Sequence, residues 1–258
     1  VMELQNLPIE PFHNAGTALD KFNKAIPEIL NSYSGNLVKG SEAYFLVSFS
    51  SVSNAVNAAM ATHAIFKEYV GESGAADITL KTGLSAGVPV TGDKQFFEDT
   101  IKSAERNCAV INGGIIVTAE VKDLYNGENI NQVVDNEIIV ALTPTDELFL
   151  KLLMDFTEIT WDNVNLKAED FCKPVGCGKS QFYRKMISLI GKSPNTFIKE
   201  YRLDRALKLL NKKAGNVSEI AYETGFSSPS YFSKCFQKRY DHSPSEYLLA
   251  QAEINYVD

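Results

Sequence analysis

The chain has 258 residues, 45% of them hydrophobic and 22% charged, which is the composition of a globular protein and excludes wholesale disorder. It has no apolar run long enough to span a bilayer and no charged leader ahead of an apolar stretch, so a cytoplasmic protein of two modest domains with no membrane partner is expected. The net charge of −7 is unevenly spread: residues 1–155 hold 10 Lys and Arg against 20 Asp and Glu, whereas residues 178–239 hold 13 against 4. Phosphate responds to the local field, so the second stretch is compatible with a polyanionic partner.

In the first half, helical periodicity covers Thr17 to Ser32, Val52 to Tyr69, Phe96 to Val110 and Ala119 to Tyr125. Strand-like runs cover Leu37 to Lys39, Tyr44 to Phe49, Asp77 to Pro89, Gly114 to Thr118 and Ile138 to Leu142. Helices that separate strands predict an α+β or α/β sandwich. Asp99 and Arg106, spaced i and i+7, share one helix face and are candidates for lining a ligand pocket. The plainer alternative for them is a solvated helix face.

After Pro144, the segment Asp146 to Trp161 has apolar residues at helical spacing and an acidic first turn, so it reads as a connecting helix. The segment from Asn165 to Met186 follows the pattern of a helix-turn-helix. Asn165 or a neighbour caps a first helix, with Leu166, Phe171 and Val175 facing inward, and Pro174 shortens it. Gly176 and Gly178 then form the turn. In the second helix Phe182, Met186 and Leu189 make the buried face, which leaves Lys179, Ser180, Tyr183 and Arg184 pointing outward. Arg184 suits bidentate contact with guanine, and Lys179 and Lys185 suit the phosphate backbone.

Gly178-Lys179-Ser180 resembles the end of a phosphate-binding loop. That loop needs Gly five residues before its final Gly, and Lys173 stands there. Between Ser193 and Leu210 a Ser cap, Pro194 and a broad apolar stripe predict a long helix that spaces its neighbours. A second helix-turn-helix follows from Asn216 to Phe236, with Val217, Ile220 and Ala221 inward, Gly225 at the turn and Phe226 beneath it. Its second helix, Pro229 to Arg239, buries Phe232 and Phe236 and presents Ser230, Tyr231, Ser233, Lys234 and Lys238. Two such helices separated by one long helix would enter successive major grooves, roughly 34 Å apart.

Cys108, Cys172, Cys177 and Cys235 match no metal-ligand spacing, and His13, His63 and His242 are scattered, so no disulfide, metal or cofactor is expected. Cys172 and Cys235 fall at apolar helix positions, where a reduced thiol packs as a small hydrophobe.

The C-terminal segments SQFYRKM, GKSPNTFIKEYRLDRALKLL, VSEIAYETGFSSPSYFSKCF and SPSEYL resemble the DNA-binding domain of the AraC/XylS family of bacterial transcription regulators, over Asp146 to Leu249. Asp241 stands where Gly is common in that family, and Pro174 is a second departure. The resemblance implies DNA contacts from Lys179, Ser180, Tyr183 and Arg184, and from Pro229, Ser230, Tyr231 and Lys234.

In the first half, LVKGSEAYFLVSFSSVSNAVNAAMATH, LKTGLSAGVPV, FFEDTIKSAERNC and GGIIVTAEVKDLY resemble a class III nucleotide cyclase domain, which implies a ferredoxin-like core and pairing with a second copy. Cyclase chemistry needs two carboxylates around two metals. One of those positions is Ala43, with Glu42 beside it, and the strand carrying the other falls at or before Val1, leaving Glu3 as a distant substitute. Lys102 replaces the family's asparagine, while Arg106 is retained one turn later. Such losses predict a non-catalytic scaffold.

These readings together give a fold of class α+β. A ferredoxin-like or cyclase-like sandwich over 1–142 serves sensing or dimerisation, 143–163 form a linker helix, and 164–250 form an all-α domain with two helix-turn-helix motifs. The expected function is a sequence-specific transcription regulator, in particular an activator. Its expected partners are double-stranded DNA, a second copy through the N-terminal half, RNA polymerase and a small-molecule effector of unknown identity. A nucleotide cyclase fused to a DNA-binding domain is the enzymatic alternative, and an interaction protein whose N-terminal half docks on another regulator is the third.

Overall fold

The computed structural model describes residues 1–5, 7, 16–71, 78–87, 94–110, 114–129 and 138–254. Asp77, Val88 and Pro89, at the ends of one expected strand, lie outside the described residues, as does His13. The described residues form two compact units that divide between Lys151 and Leu152.

The first unit contains β1 (Met2–Gln5), α1 (Gly16–Ser32), β2 (Asn36–Gly40), β3 (Tyr44–Ser48), α2 (Val52–Gly71), β4 (Thr79–Leu84), α3 (Lys94–Val110), β5 (Gly114–Val117), α4 (Ala119–Glu128) and β6 (Ile139–Ala141). The strands form one sheet in the order β2-β3-β1-β4-β5-β6. β1 runs antiparallel to both β3 and β4, and β4, β5 and β6 run parallel. Threading β1 between β3 and β4 gives the first four strands and two helices the split βαβ connectivity of ferredoxin-like folds.

β1 is absent from the strands that periodicity predicts. Its four residues alternate, Met2 and Leu4 being buried while Glu3 and Gln5 are half-buried. A strand of four residues is hard to recognise by periodicity. Met2 and Leu4 pack with Phe22, Ile26 and Leu30 of α1 and with Phe45 and Leu80. Burying side chains of this kind contributes about 1.5–3 kcal/mol each.

On the opposite face, the register places Glu3 between Tyr44 and Lys81. Here α3 crosses β4 so closely that a Cβ on Gly83 would lie 2.2 Å from the carbonyl oxygen of Ala104. Tyr44 donates its hydroxyl to Glu105 Oε1 at 2.7 Å, and burial with this bond raises its pKa. Glu3 is therefore part of the ladder, flanked by a phenol and a buried lysine. No group of three His, Cys, Asp or Glu residues converges to hold a metal among the described residues.

α5 (Pro144–Thr160) starts with a local cap, Asp146 N donating to Thr143 Oγ1 at 3.2 Å. The second unit then holds a 3-10 turn at Ala168–Phe171, α6 (Cys172–Val175), α7 (Lys179–Lys185) continued by a wider π-type turn at Met186–Ile190, α8 (Pro194–Asn211), α9 (Val217–Glu223), α10 (Pro229–Tyr240) and α11 (Pro244–Ile254). None of the described helices is long and apolar enough to cross a membrane.

Candidate nucleic-acid interface

In the first motif, Asn165 is not the cap. The helical segment starts after Lys167, whose N–H donates to Asp170 Oδ2 at 2.8 Å, and Asn165 N instead donates to Asn163 Oδ1. Pro174 is the third residue of α6, which is only four residues long, and there its missing N–H is one that a first helical turn leaves unpaired in any case. Phe171 stacks on Phe182 at 5.7 Å and meets Phe156 edge-on at 5.0 Å, so an aromatic wedge sets the angle between α6 and α7. Leu166 is half-buried, and Phe171 and Val175 are buried.

Gly178, in an extended conformation, precedes α7. With Phe182 and Met186 buried, Lys179, Ser180 and Arg184 stand exposed, and Tyr183 is half-buried. Leu189 is only half-buried, and Ile190 takes the core position expected of it. The wider turn adds a residue to the repeat and so rotates the last apolar side chain by one position. Lys179 pairs with Glu169 at 2.5 Å, and this hydrogen bond lowers the Glu169 carboxyl pKa and raises that of the Lys179 ammonium. Both side chains are more than 60% exposed, so the pair is weak and open to competition from phosphate.

α8 begins where the sequence places it. Ser193 Oγ accepts from Thr196 N at 3.2 Å, and Pro194 occupies the first turn. Its buried face, which includes Leu203, Ala206 and Leu210, packs with Ile220, Ala221, Phe226, Phe232 and Phe236. In the second motif Asn216 Oδ1 accepts from Ser218 N and Glu219 N, and Glu219 Oε2 accepts from Asn216 N at 2.8 Å, forming a reciprocal cap. Gly225 turns the chain at φ +75°, a conformation that favours glycine. Ser228 caps α10 by accepting from Tyr231 N at 3.3 Å. Ser230, Tyr231 and Lys234 are exposed and Pro229 is half-buried. A hydrogen bond with Cys235 one turn later raises the Tyr231 phenol pKa.

The basic residues thus divide into two groups. Lys192 pairs with Glu200, and Arg239 pairs with Glu200 and Asp204 at 3.2 and 2.8 Å, so these cations fasten α8 to its neighbours. Arg184 and Lys234 are exposed on the two second helices. Sequence reasoning missed the structural role of Arg202, which donates to two backbone carbonyls. It pairs with residues far away in sequence, so no local motif identifies it.

In the first unit, Asp99 and Arg106 of α3 both line a cleft of about 430 Å³ with Ser103, Asn107, Glu147 and Lys151. Asp99 is exposed and Arg106 half-buried. Asn107 is 3% exposed, and its amide nitrogen has no hydrogen-bond acceptor among the described residues. A larger, mainly apolar cavity of about 580 Å³, lined among others by Leu46, Phe49, Val52 and Leu84, includes neither Asp99 nor Arg106.

Residues 171–250 match the family model of a helix-turn-helix domain. The chain is 37% identical to the HTH-type transcriptional regulator ExsA of Pseudomonas aeruginosa over 118 residues, 42% of each protein. It is 34% identical to the HTH-type transcriptional activator RhaS of Mannheimia succiniciproducens over 89 residues, 34% of this chain and 31% of that one. It is also 35% identical to histidine kinase P4 of Formosa agariphila over 114 residues, 44% of this chain and 8% of that one. The chain thus spans less than half the length of these relatives. Residues 171–250 thus constitute a helix-turn-helix domain.

Proposed function

We propose that this chain is a sequence-specific DNA-binding transcription regulator, in particular an activator. The supporting observation is the pair of second helices, α7 and α10, each placed after a glycine turn over an aromatic core. Lys179, Ser180, Tyr183 and Arg184 would contact DNA from the first, and Pro229, Ser230, Tyr231 and Lys234 from the second. The local basic excess supplies attraction to phosphate, and Arg184 supplies a base-reading fork. The names of the similar regulators ExsA and RhaS favour the same reading. Electrophoretic shift against duplexes selected from random sequence tests it. Arg184→Ala with Lys234→Ala should abolish specific retardation, and unchanged retardation would refute the assignment of these helices.

In this proposal the N-terminal unit is a non-catalytic domain that senses a signal or pairs with a second copy, and the regulator acts on RNA polymerase in the cytoplasm. The cleft at Asp99 and Arg106 supports a small polar effector, because the buried Asn107 amide there has a donor unused among the described residues. The cyclase resemblance supplies the competing reading of this unit. Ala43 and Lys102 stand against catalysis, since neither ligates a metal nor replaces an asparagine's hydrogen bonds. Formation of a cyclic nucleotide from ATP or GTP with manganese, lost on Glu3→Gln or Glu42→Gln, would establish catalysis.

A further inference from the structure

We propose that Cys172 and Cys177 form an oxidisable dithiol site in the turn of the first helix-turn-helix motif. It would close an intrachain disulfide whose weakening effect on DNA binding rests on the reading above. The geometry follows from how α6 ends. Gly176 adopts φ +72°, its N–H donates to the Lys173 carbonyl at 3.2 Å, and the Cys177 N–H donates to the Cys172 carbonyl at 3.1 Å. These two bonds are the Schellman termination, in which the residues at the ends of the longer loop commonly bring their side chains into contact. That pair is usually apolar, and here both members carry thiols. The backbone bond holds the two Cα atoms within about 7 Å, the outer limit for a disulfide, so the sulfurs can join with a small shift of the turn towards the usual separation of about 5.5–6 Å.

All four cysteines are free in the structure. Cys172 and Cys177 are half-buried and reachable by a small oxidant, whereas Cys108 is fully buried. With hydrogen peroxide, one thiolate sulfur attacks a peroxide oxygen, hydroxide leaves and a sulfenic acid forms. The second thiolate then attacks that sulfur and displaces a second hydroxide. The thiols lose two protons and two electrons, and the peroxide becomes two waters. Burial raises the Cys177 thiol pKa, so closure quickens with rising pH.

The consequence for DNA lies one residue further along the chain. Gly178 follows Cys177 directly and caps α7, so drawing the two sulfurs into a bond displaces the first turn that carries Lys179 and Ser180. Contact residues tolerate misplacement of only about 0.5 Å.

The test uses the 258-residue chain exposed to peroxide near about pH 8, with Cys172→Ala and Cys177→Ser in parallel. After alkylation and digestion, the peptide carrying both cysteines should be two hydrogens lighter and unalkylated, and the variants should show no such species. The oxidised chain should bind a duplex selected by the reduced chain roughly fivefold more weakly, reversed by dithiothreitol and absent in the variants. Sulfinic acid without a cross-link, or a bond to Cys235 or to another chain, overturns the site. An unchanged affinity with the cross-link in place overturns its effect on DNA. Should the reduced chain select no duplex, the DNA-binding reading fails, and the peptide map alone decides the dithiol.

Discussion

Arg202 on α8 donates from Nε to the carbonyl of Trp161 at 2.6 Å, and its Nη2 donates to the carbonyl of Asn163 at the same distance. These carbonyls follow the end of α5, where helix termination leaves acceptors without intrahelical donors. The guanidinium is part-buried, and desolvation lowers its pKa. Beside it, a Cβ on Gly225 would lie 2.7 Å from the Asp162 carbonyl oxygen and 3.0 Å from Arg202 Nε. The end of α5, the spacer helix and the turn of the second motif therefore meet at one fork of hydrogen bonds.

Replacing Arg202 with Met keeps the stem and removes the fork, leaving the Trp161 carbonyl without its donor while the Asn163 carbonyl keeps the Leu166 N–H at 3.0 Å. The C-terminal unit should lose about 2–3 kcal/mol, read from urea unfolding by Trp161 fluorescence. Arg202→Lys should recover less than half of that, since an ammonium cannot span both acceptors as a planar fork does. A loss below about 0.5 kcal/mol for Arg202→Met would mean that the fork contributes no stability.

Gly225→Ala combines a left-handed conformation with a close approach to the Asp162 backbone, and should cost about 2–4 kcal/mol. Gly127→Ala is the matched control, because nothing lies within 4 Å of its added Cβ and it sits inside α4. That change should stabilise by up to about 1 kcal/mol. Equal denaturation midpoints for the two variants would contradict the packing at Gly225.

What the sequence discloses, and what it conceals, follows the range of each interaction. The Asn216–Glu219 cap, the Ser193-Pro194 start and Gly225 are local signals, legible because partners lie within three residues. Leu189 is misassigned because a straight helical repeat cannot anticipate a wider turn, which moves the core position to Ile190. β1 escapes notice because four residues carry too little periodicity, although pairing on both sides places it mid-sheet. Of the outward residues, sequence identifies Lys179 as a free cation, whereas its bond to Glu169 arises only when the turn folds.

That bond gives a prediction about DNA affinity. Glu169→Gln removes a carboxylate that competes with phosphate for Lys179 and repels the duplex. Binding to a selected duplex should tighten about threefold, with a steeper dependence on salt as one more phosphate contact forms. Lys179→Gln in the same background should cancel both changes. Weaker binding on Glu169→Gln would show that the pair positions α7.

Acid stability of the N-terminal unit should depend on His63. Its Nε2 lies 3.0 Å from Thr82 Oγ1, linking α2 to β4, and burial lowers its pKa from 6.5 to about 4. The folded pKa lies below the unfolded one, so between those values the unfolded chain binds a proton that the folded chain excludes. Stability is therefore retained above pH 6.5, falls as the pH drops towards 4 and levels off below it. The full contribution is about 3–4 kcal/mol. Hydrogen exchange of the β4 amides, compared at both ends of this window, isolates the unit. His63→Gln keeps a side chain of similar polarity without a titrating ring and should remove most of the acid-induced loss. A variant that loses as much protection as the parent chain would assign that loss to carboxylates elsewhere in the sheet.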